Sequence, residues 1–144
     1  MAQITPQYEE LEEFVSIANK LIERHPSVFA GISVDKIACV SITNKDRKEG
    51  KPRWELKTVV PPVSIFCPKE YIVVLFMSDW AALSQKQKGY LVAQALRSIS
   101  PEGEGKTIPF DMKDHAIMLR TFGVDYIENP NVPDLLTADI SWRT

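Results

Sequence analysis

The sequence predicts an α+β fold with an N-terminal helix, a small and mainly antiparallel sheet, and two C-terminal helices. Apolar residues recur at helical spacing between residues 11 and 22. Segments with the length and composition of strands are grouped between residues 37 and 77, and two further helical patterns follow. This grouping is typical of α+β proteins, in which strands do not alternate singly with helices. With 144 residues we expect one domain, residues 1–144, in which residues 126–144 form an irregular tail.

The first helix is predicted to open at Thr5-Pro6, a plausible N-cap followed by proline at the first helical position. It is expected to end at His25-Pro26, because a residue before proline disfavours the helical conformation. We assign His25 to the surface at this helix end. Its apolar face comprises Leu11, Phe14, Val15, Ala18, Leu21 and Ile22.

Three strands are predicted next, at residues 37–42, 54–60 and 71–77. A polar segment, residues 44–53, joins the first two and contains glycine and proline. Two strands separated by such a loop predict a β-hairpin.

Two helices complete the predicted elements. Ser84 and Gln87 match a capping box, in which each side chain accepts a hydrogen bond from the other residue's backbone N–H. That helix is expected to end at Ser100-Pro101. The last helix is predicted over residues 111–122, with Asp111 as its N-cap and Gly123 as its C-terminal cap.

Composition narrows the class of protein. Seventeen Lys and Arg against 19 Asp and Glu give a formal charge of −2, whereas a nucleic-acid binder normally shows a basic excess. No apolar run reaches the roughly 18 residues of a membrane helix, and no signal peptide is visible after Met1. Cys39 and Cys67 do not predict a disulfide framework and are interpreted as small apolar residues. We therefore expect a cytoplasmic protein.

Residue types and spacing alone assemble no catalytic centre. Asp111 and His115 are four residues apart and could contact one ion from the same helix face, with Asp114 nearby. The simpler explanation of Asp111 is its role as N-cap. The basic residues of segment 44–53 are interpreted as a solvated loop rather than a phosphate site, because Asp46 and Glu49 dilute their charge.

Residues 77–99 and 110–125 carry a more specific pattern. They contain Met-Ser-Asp-Trp at 77–80, Leu-Ser-x-x-Gln-Lys at 83–88, Leu-Val-Ala-Gln-Ala-Leu-Arg-Ser-Ile at 91–99, and Phe-Asp at 110–111 before a helix that closes with Phe-Gly at 122–123. Together these segments resemble the small metallopeptidases encoded by bacteriophages, a zincin-like group. The resemblance is weak before residue 70 and closer from 71 to 125. It implies a zincin-like fold, with a helix that carries His-Glu-Leu-x-His and a His-Asp pair that opens the last helix.

Each residue that would perform the family's chemistry is replaced here. Aligned on the family pattern, the first His position holds Gln94, the Glu position holds Ala95 and the second His position holds Ser98. The His before Asp111 is Phe110. Zinc-dependent peptide hydrolysis in this family pattern needs two His residues four apart as ligands and a Glu as general base. The resemblance therefore implies a pseudoenzyme without metal or cofactor, with a vestigial cleft at Gln94, Ala95, Ser98, Phe110 and Asp111.

Such a protein is expected to act by binding a host or phage protein in the bacterial cytoplasm, without membrane contact. The implied phage origin favours an inhibitor of a bacterial defence system such as CRISPR. The alternative is a residual metal-dependent hydrolase with a relocated site at Asp111, Asp114 and His115. Nucleic-acid binding is not favoured, because the net charge is small.

Two surfaces are candidates for the partner contact. The first is the charged loop, and the second is the C-terminal tail, whose aromatic residue could anchor an interface. Packing of the tail on the protein's own core is the open alternative. The candidate residues are Lys45, Arg47, Lys48 and Arg53 in the loop, and Leu135, Leu136 and Trp142 in the tail.

Overall fold

The computed structural model describes residues 5–49, 51–99, 115–122 and 126–143. These residues form four strands and four helices, which confirms the α+β class. The strands are β1 (Gln7–Glu10), β2 (Ile37–Thr43), β3 (Trp54–Thr58) and β4 (Tyr71–Phe76). The helices are α1 (Glu12–Arg24), α2 (Met77–Ala82), α3 (Gln85–Arg97) and α4 (Ala116–Phe122). No helix among the described residues is long and apolar enough to span a lipid bilayer.

The four strands form one mixed sheet in the order β1-β2-β4-β3. β1 pairs antiparallel with β2, and β3 pairs antiparallel with β4. The central pair, β2 and β4, is parallel, with Ile37 opposite Tyr71. The sheet is thus mainly antiparallel, as the sequence predicts.

The predicted hairpin between β2 and β3 is wrong, because β4 lies between them. β2 and β4 are the two apolar strands, and both take central positions where they have a neighbour on each side. β3 carries the exposed Glu55 and Lys57 and lies at the edge, where charged side chains are tolerated.

The predicted start of the first helix at Thr5-Pro6 is also wrong. Residues Gln7–Glu10 form the exposed strand β1, and α1 begins at Glu12. β1 supplies hydrogen-bonding partners along the outer side of β2, with Gln7 opposite Thr43, a long-range pairing that local propensity does not reveal. The predicted helix end at His25 is confirmed, since His25 is the C-cap of α1.

α3 is the helix that positions the candidate site. Its predicted capping box is present: Ser84 Oγ accepts from the Gln87 N–H at 3.2 Å, and Gln87 Oε1 accepts from the Ser84 N–H at 2.8 Å. Most of α3 from Gly89 to Leu96 is buried, and α3 packs against α1. Cys39 of β2 lies in the same core, where burial raises the pKa of its thiol to about 12. The described part of the predicted last helix is α4.

Candidate functional site

The C-terminal half of α3 and its C-cap, Ser98, carry three of the positions predicted for the vestigial cleft. Gln94 and Ser98 are one helical turn apart and therefore lie on the same side of α3. Ala95 lies between them in sequence and is fully buried. Phe110 and Asp111, the other two predicted cleft residues, lie outside the described residues, as does Asp114.

Gln94 uses both ends of its side-chain amide in hydrogen bonds. Its Oε1 accepts from the Trp54 indole Nε1 at 2.7 Å, and its Nε2 donates to the Tyr126 hydroxyl at 2.9 Å. Trp54 begins the edge strand β3, and Tyr126 belongs to the turn after α4. Gln94, the residue predicted to replace the first His of the family pattern, thus joins the sheet, the helix and this turn through its amide.

Ser98 contacts a histidine that is distant in sequence. Ser98 Oγ lies 2.9 Å from His115 Nε2, and both residues are buried. Ser98 Oγ also donates to the Gln94 backbone carbonyl at 3.4 Å. The Ser98 hydroxyl thus lies between the His115 imidazole and the Gln94 carbonyl, with both within hydrogen-bonding distance.

The position of His115 is a finding that the sequence did not predict. The sequence predicts His115 only as a partner of Asp111 and Asp114 in a relocated metal site. The structure instead places its Nε2 beside Ser98, the residue predicted to replace the second His of the family pattern. Ser98 and His115 are 17 residues apart in the sequence, so no periodicity within one helix or strand predicts their contact.

The residues present at the aligned positions do not fit a zinc ion. A neutral amide and a hydroxyl are poor zinc ligands, and Ala95 has no group that could accept a proton. Across residues 5–49, 51–99, 115–122 and 126–143, no group of three or more His, Cys, Asp or Glu side chains could hold a metal ion.

The charged loop is partly tied to the body of the protein. Arg47 Nε donates to Asp79 Oδ2 at 2.8 Å, and Arg53 pairs with Glu128 at 2.5 Å. Lys45 and Lys48 are exposed. Of the four predicted contact residues in this loop, the two lysines present their charges to solvent most freely, while both arginines hold distant segments together.

The C-terminal tail packs on the core, which was the open alternative to partner binding. Leu135 is 0% exposed, and Leu136 is half-buried against Gly89 of α3. Trp142 is also half-buried, with its ring edge-on to those of His25 and Phe122 at centroid distances of 5.4 and 5.2 Å.

The surface assignment of His25 is wrong for the same reason. His25 is buried, and its Nε2 lies 2.8 Å from the Leu135 carbonyl oxygen. The neighbouring Arg24 donates to the carbonyl oxygens of Thr137 and Ala138. The end of α1 thus holds the tail through hydrogen bonds from polar side chains. Because these bonds join residues more than 100 positions apart, the local sequence does not predict them.

An exposed apolar segment between β3 and β4 is the surface feature that sequence reasoning missed. We call residues 59–67 the apolar loop. Its large side chains are the most exposed of the protein's described apolar residues apart from Tyr8, and they are Val60, Val63, Ile65 and Phe66. The available signal was the absence of any charged residue from 58 to 68.

Comparison with known proteins identifies one family. A family model described as "Putative phage metallopeptidase" matches residues 6–138 of the chain. No curated protein and no solved structure matches it. The family match spans nearly the whole chain, including α3 and the residues that contact Gln94 and Ser98.

Proposed function

The chain belongs to this phage metallopeptidase family, and from that premise we propose that it is a member without peptidase activity that acts by binding another protein in a stoichiometric complex. The observation that carries the proposal is the identity and bonding of the residues at the aligned positions. Gln94, Ala95 and Ser98 provide neither zinc ligands nor a general base, and the two polar side chains are engaged in internal hydrogen bonds.

The hydrogen bonds support loss of catalysis more strongly than the substitutions alone. The Gln94 amide accepts from Trp54 and donates to Tyr126, and Ser98 contacts His115. A buried polar group must be hydrogen-bonded or it destabilises the fold by about 1–3 kcal/mol. The replacement residues meet that requirement with one another and with the scaffold, so the former metal site has become a structural polar network.

Restoration of the family residues tests this directly. The variant Gln94→His, Ala95→Glu, Ser98→His places two imidazoles on one face of α3, and His115 lies beside the second of them. We expect this variant to bind zinc in competition with a chromophoric chelator, and the unmodified chain to compete weakly. Adding His115→Ala to the restored variant should weaken its zinc binding by about tenfold or more, because a third ligand is lost.

The same titration can contradict the proposal. Stoichiometric zinc binding by the unmodified chain, with cleavage of a casein or peptide-library substrate, would show that it is an active enzyme. If Asp111→Ala or Asp114→Ala abolished that binding, the alternative of a relocated hydrolase site that includes His115 would be supported instead.

We further propose that the bound partner is a component of a bacterial defence system, such as a CRISPR effector, in the host cytoplasm. The phage family supports this choice, because a phage meets the defence systems of its host inside the host cell. In a purified interference assay, DNA cleavage by the effector should stop when inhibitor and effector are present in equal amounts. Inhibition by a small fraction of that amount, with proteolytic fragments of the effector, would indicate catalysis. Full cleavage at excess inhibitor by each effector type tested would refute this assignment.

A further inference from the structure

The apolar loop is the most unusual surface of the described residues. Val60 and Val63 are 58% and 59% exposed, Ile65 is 76% exposed and Phe66 is 88% exposed. Charged residues make up 25% of the chain, yet none occurs from 58 to 68. Single exposed apolar residues are ordinary, but a contiguous group with this exposure marks an interaction site.

The apolar loop has a defined shape. The Val59 N–H donates to the Glu70 carbonyl at 2.9 Å and closes its base. Within it, the Phe66 and Cys67 N–H groups both donate to the Val63 carbonyl, at 3.0 and 3.1 Å. A short 3-10 turn, Val63–Ile65, holds the apolar side chains at the tip. Because these internal hydrogen bonds order the segment before it meets a partner, binding through it loses less conformational entropy.

The residues around the apolar loop argue against a membrane as its binding partner. The charged residues at its base have mixed sign: Lys57 and Lys69 are accompanied by Asp35 and Glu70. Lys69 Nζ is bonded to the Asp35 carbonyl at 2.8 Å, which places these groups together. Attachment to anionic lipid needs a clear excess of basic residues around an apolar tip. A protein interface, with an apolar centre and a polar rim of both signs, fits this arrangement.

The shape of the apolar loop argues against a second copy of the chain. Phe66 projects almost entirely into solvent, so it needs a concave apolar receptor. Two grooves on the described residues, about 300 Å³ beside Tyr90 and about 410 Å³ beside Ile42, are both lined in part by charged side chains. These are Lys86 and Glu128 in the first groove and Lys45 and Asp46 in the second, so neither groove is uncharged.

We propose that the apolar loop is the surface through which the chain docks on its partner, with Ile65 and Phe66 inserted into an uncharged apolar groove of a different protein. This inference rests on the proposed function as a stoichiometric protein binder and adds the surface and the chemistry of the partner's site. The charged residues at the base of the loop then form the polar rim of the contact.

The experiment begins with a photo-crosslinking amino acid, p-benzoylphenylalanine, in place of Phe66. Lys20, exposed on α1, receives the same substitution in a control chain. Both are expressed in a CRISPR-bearing bacterium, and proteins crosslinked at position 66 and not at position 20 are identified and purified. The deciding measurement is the Kd of the purified protein for the unmodified chain and for the Ile65→Ser, Phe66→Ser and Lys20→Ser variants.

We expect Phe66→Ser to weaken binding by about 30-fold or more, Ile65→Ser to weaken it less, and Lys20→Ser to leave it unchanged. Equal melting temperatures of the variants check that folding is intact, as expected for such exposed side chains. A Kd unchanged by both loop variants would overturn the docking role of the loop and leave the proposed function standing. No heterologous protein crosslinked at position 66 would overturn the inference.

Two further outcomes would show that the apolar loop binds something other than a different protein, and would overturn the inference. The first is a crosslink only to a second copy of the chain, with a dimer in sedimentation that Phe66→Ser dissociates. The second is cosedimentation with vesicles of equal parts phosphatidylcholine and phosphatidylglycerol that Phe66→Ser abolishes. Failure of the proposed function itself is distinct, because native size-exclusion of the unmodified chain would then show no complex with any host protein.

Discussion

Leu135→Ala tests whether the C-terminal tail is part of the folded core. Leu135 is 0% exposed and its carbonyl oxygen lies 2.8 Å from His25 Nε2 at the end of α1. Truncating a fully buried leucine to alanine destabilises a protein by about 2.7–5.0 kcal/mol, because apolar contact is lost and a cavity remains. We expect a loss of about 3 kcal/mol in the free energy of unfolding. For a chain of this size each kcal/mol lowers the melting temperature by roughly 3–4 °C, so the expected decrease is about 10 °C.

Urea denaturation followed by tryptophan fluorescence measures this loss, and Ile65→Ala is the matched control. Ile65 is 76% exposed, so its truncation should change the free energy of unfolding by less than about 0.5 kcal/mol. The reasoning is refuted if Leu135→Ala costs under about 1 kcal/mol, or if the two variants are equally destabilised. Either result would mean that the tail is not packed as described.

Three other substitutions have defined expectations. The pKa of Glu13 is lowered mainly by the hydrogen bond from Lys88, with burial opposing this effect and the Trp80 indole assisting it. A carboxylate whose pKa is lowered in the folded state stabilises the protein above its unfolded pKa of about 4.5. This stabilisation is lost as the pH falls through the folded pKa. Thermal melts of Glu13→Gln should therefore lie slightly below those of the unmodified chain at neutral pH, by under about 1 kcal/mol because Glu13 is exposed, and coincide with them near about pH 3. A gap that persists at acid pH would contradict this origin. Ser84→Ala removes the capping box of α3 and should cost about 1 kcal/mol in urea denaturation, whereas an unchanged midpoint would count against the cap. Arg53→Ala breaks an exposed ion pair with Glu128 and should cost less than about 1 kcal/mol, with little dependence on salt thereafter; a larger loss would mean that this pair anchors the charged loop.

Local chemistry made much of the fold predictable. The capping box of Ser84 and Gln87, the apolar runs of β2 and β4 and the stop at His25-Pro26 are properties of neighbouring residues, and each has the predicted position. The order of the strands in the sheet is not local. β4 lies between β2 and β3 because the two apolar strands, β2 and β4, are best buried at the centre of the sheet. The order of the strands along the sequence does not predict this arrangement.

The candidate site divides in the same way. The family pattern predicts that Gln94, Ala95 and Ser98 replace the ligands and the base. The hydrogen bonds of Gln94 and Ser98 could not be predicted, because their partners Trp54, Tyr126 and His115 are far away in the chain. The apolar loop was visible in composition as a charge-free run. Its exposure depended on which strands its ends joined. The single-domain assignment and the partner residues predicted in the charged loop and in the tail stay predictions.

We propose, as stated above, that this member of the family has exchanged its metal site for a structural polar network. Elemental analysis of protein purified without chelator, together with its melting temperature with and without EDTA, tests it most directly. We predict zinc far below one equivalent and the same melting temperature in both buffers. Close to one zinc per chain, with a melting temperature that EDTA lowers, would contradict the claim, because an ion bound to the folded state stabilises it.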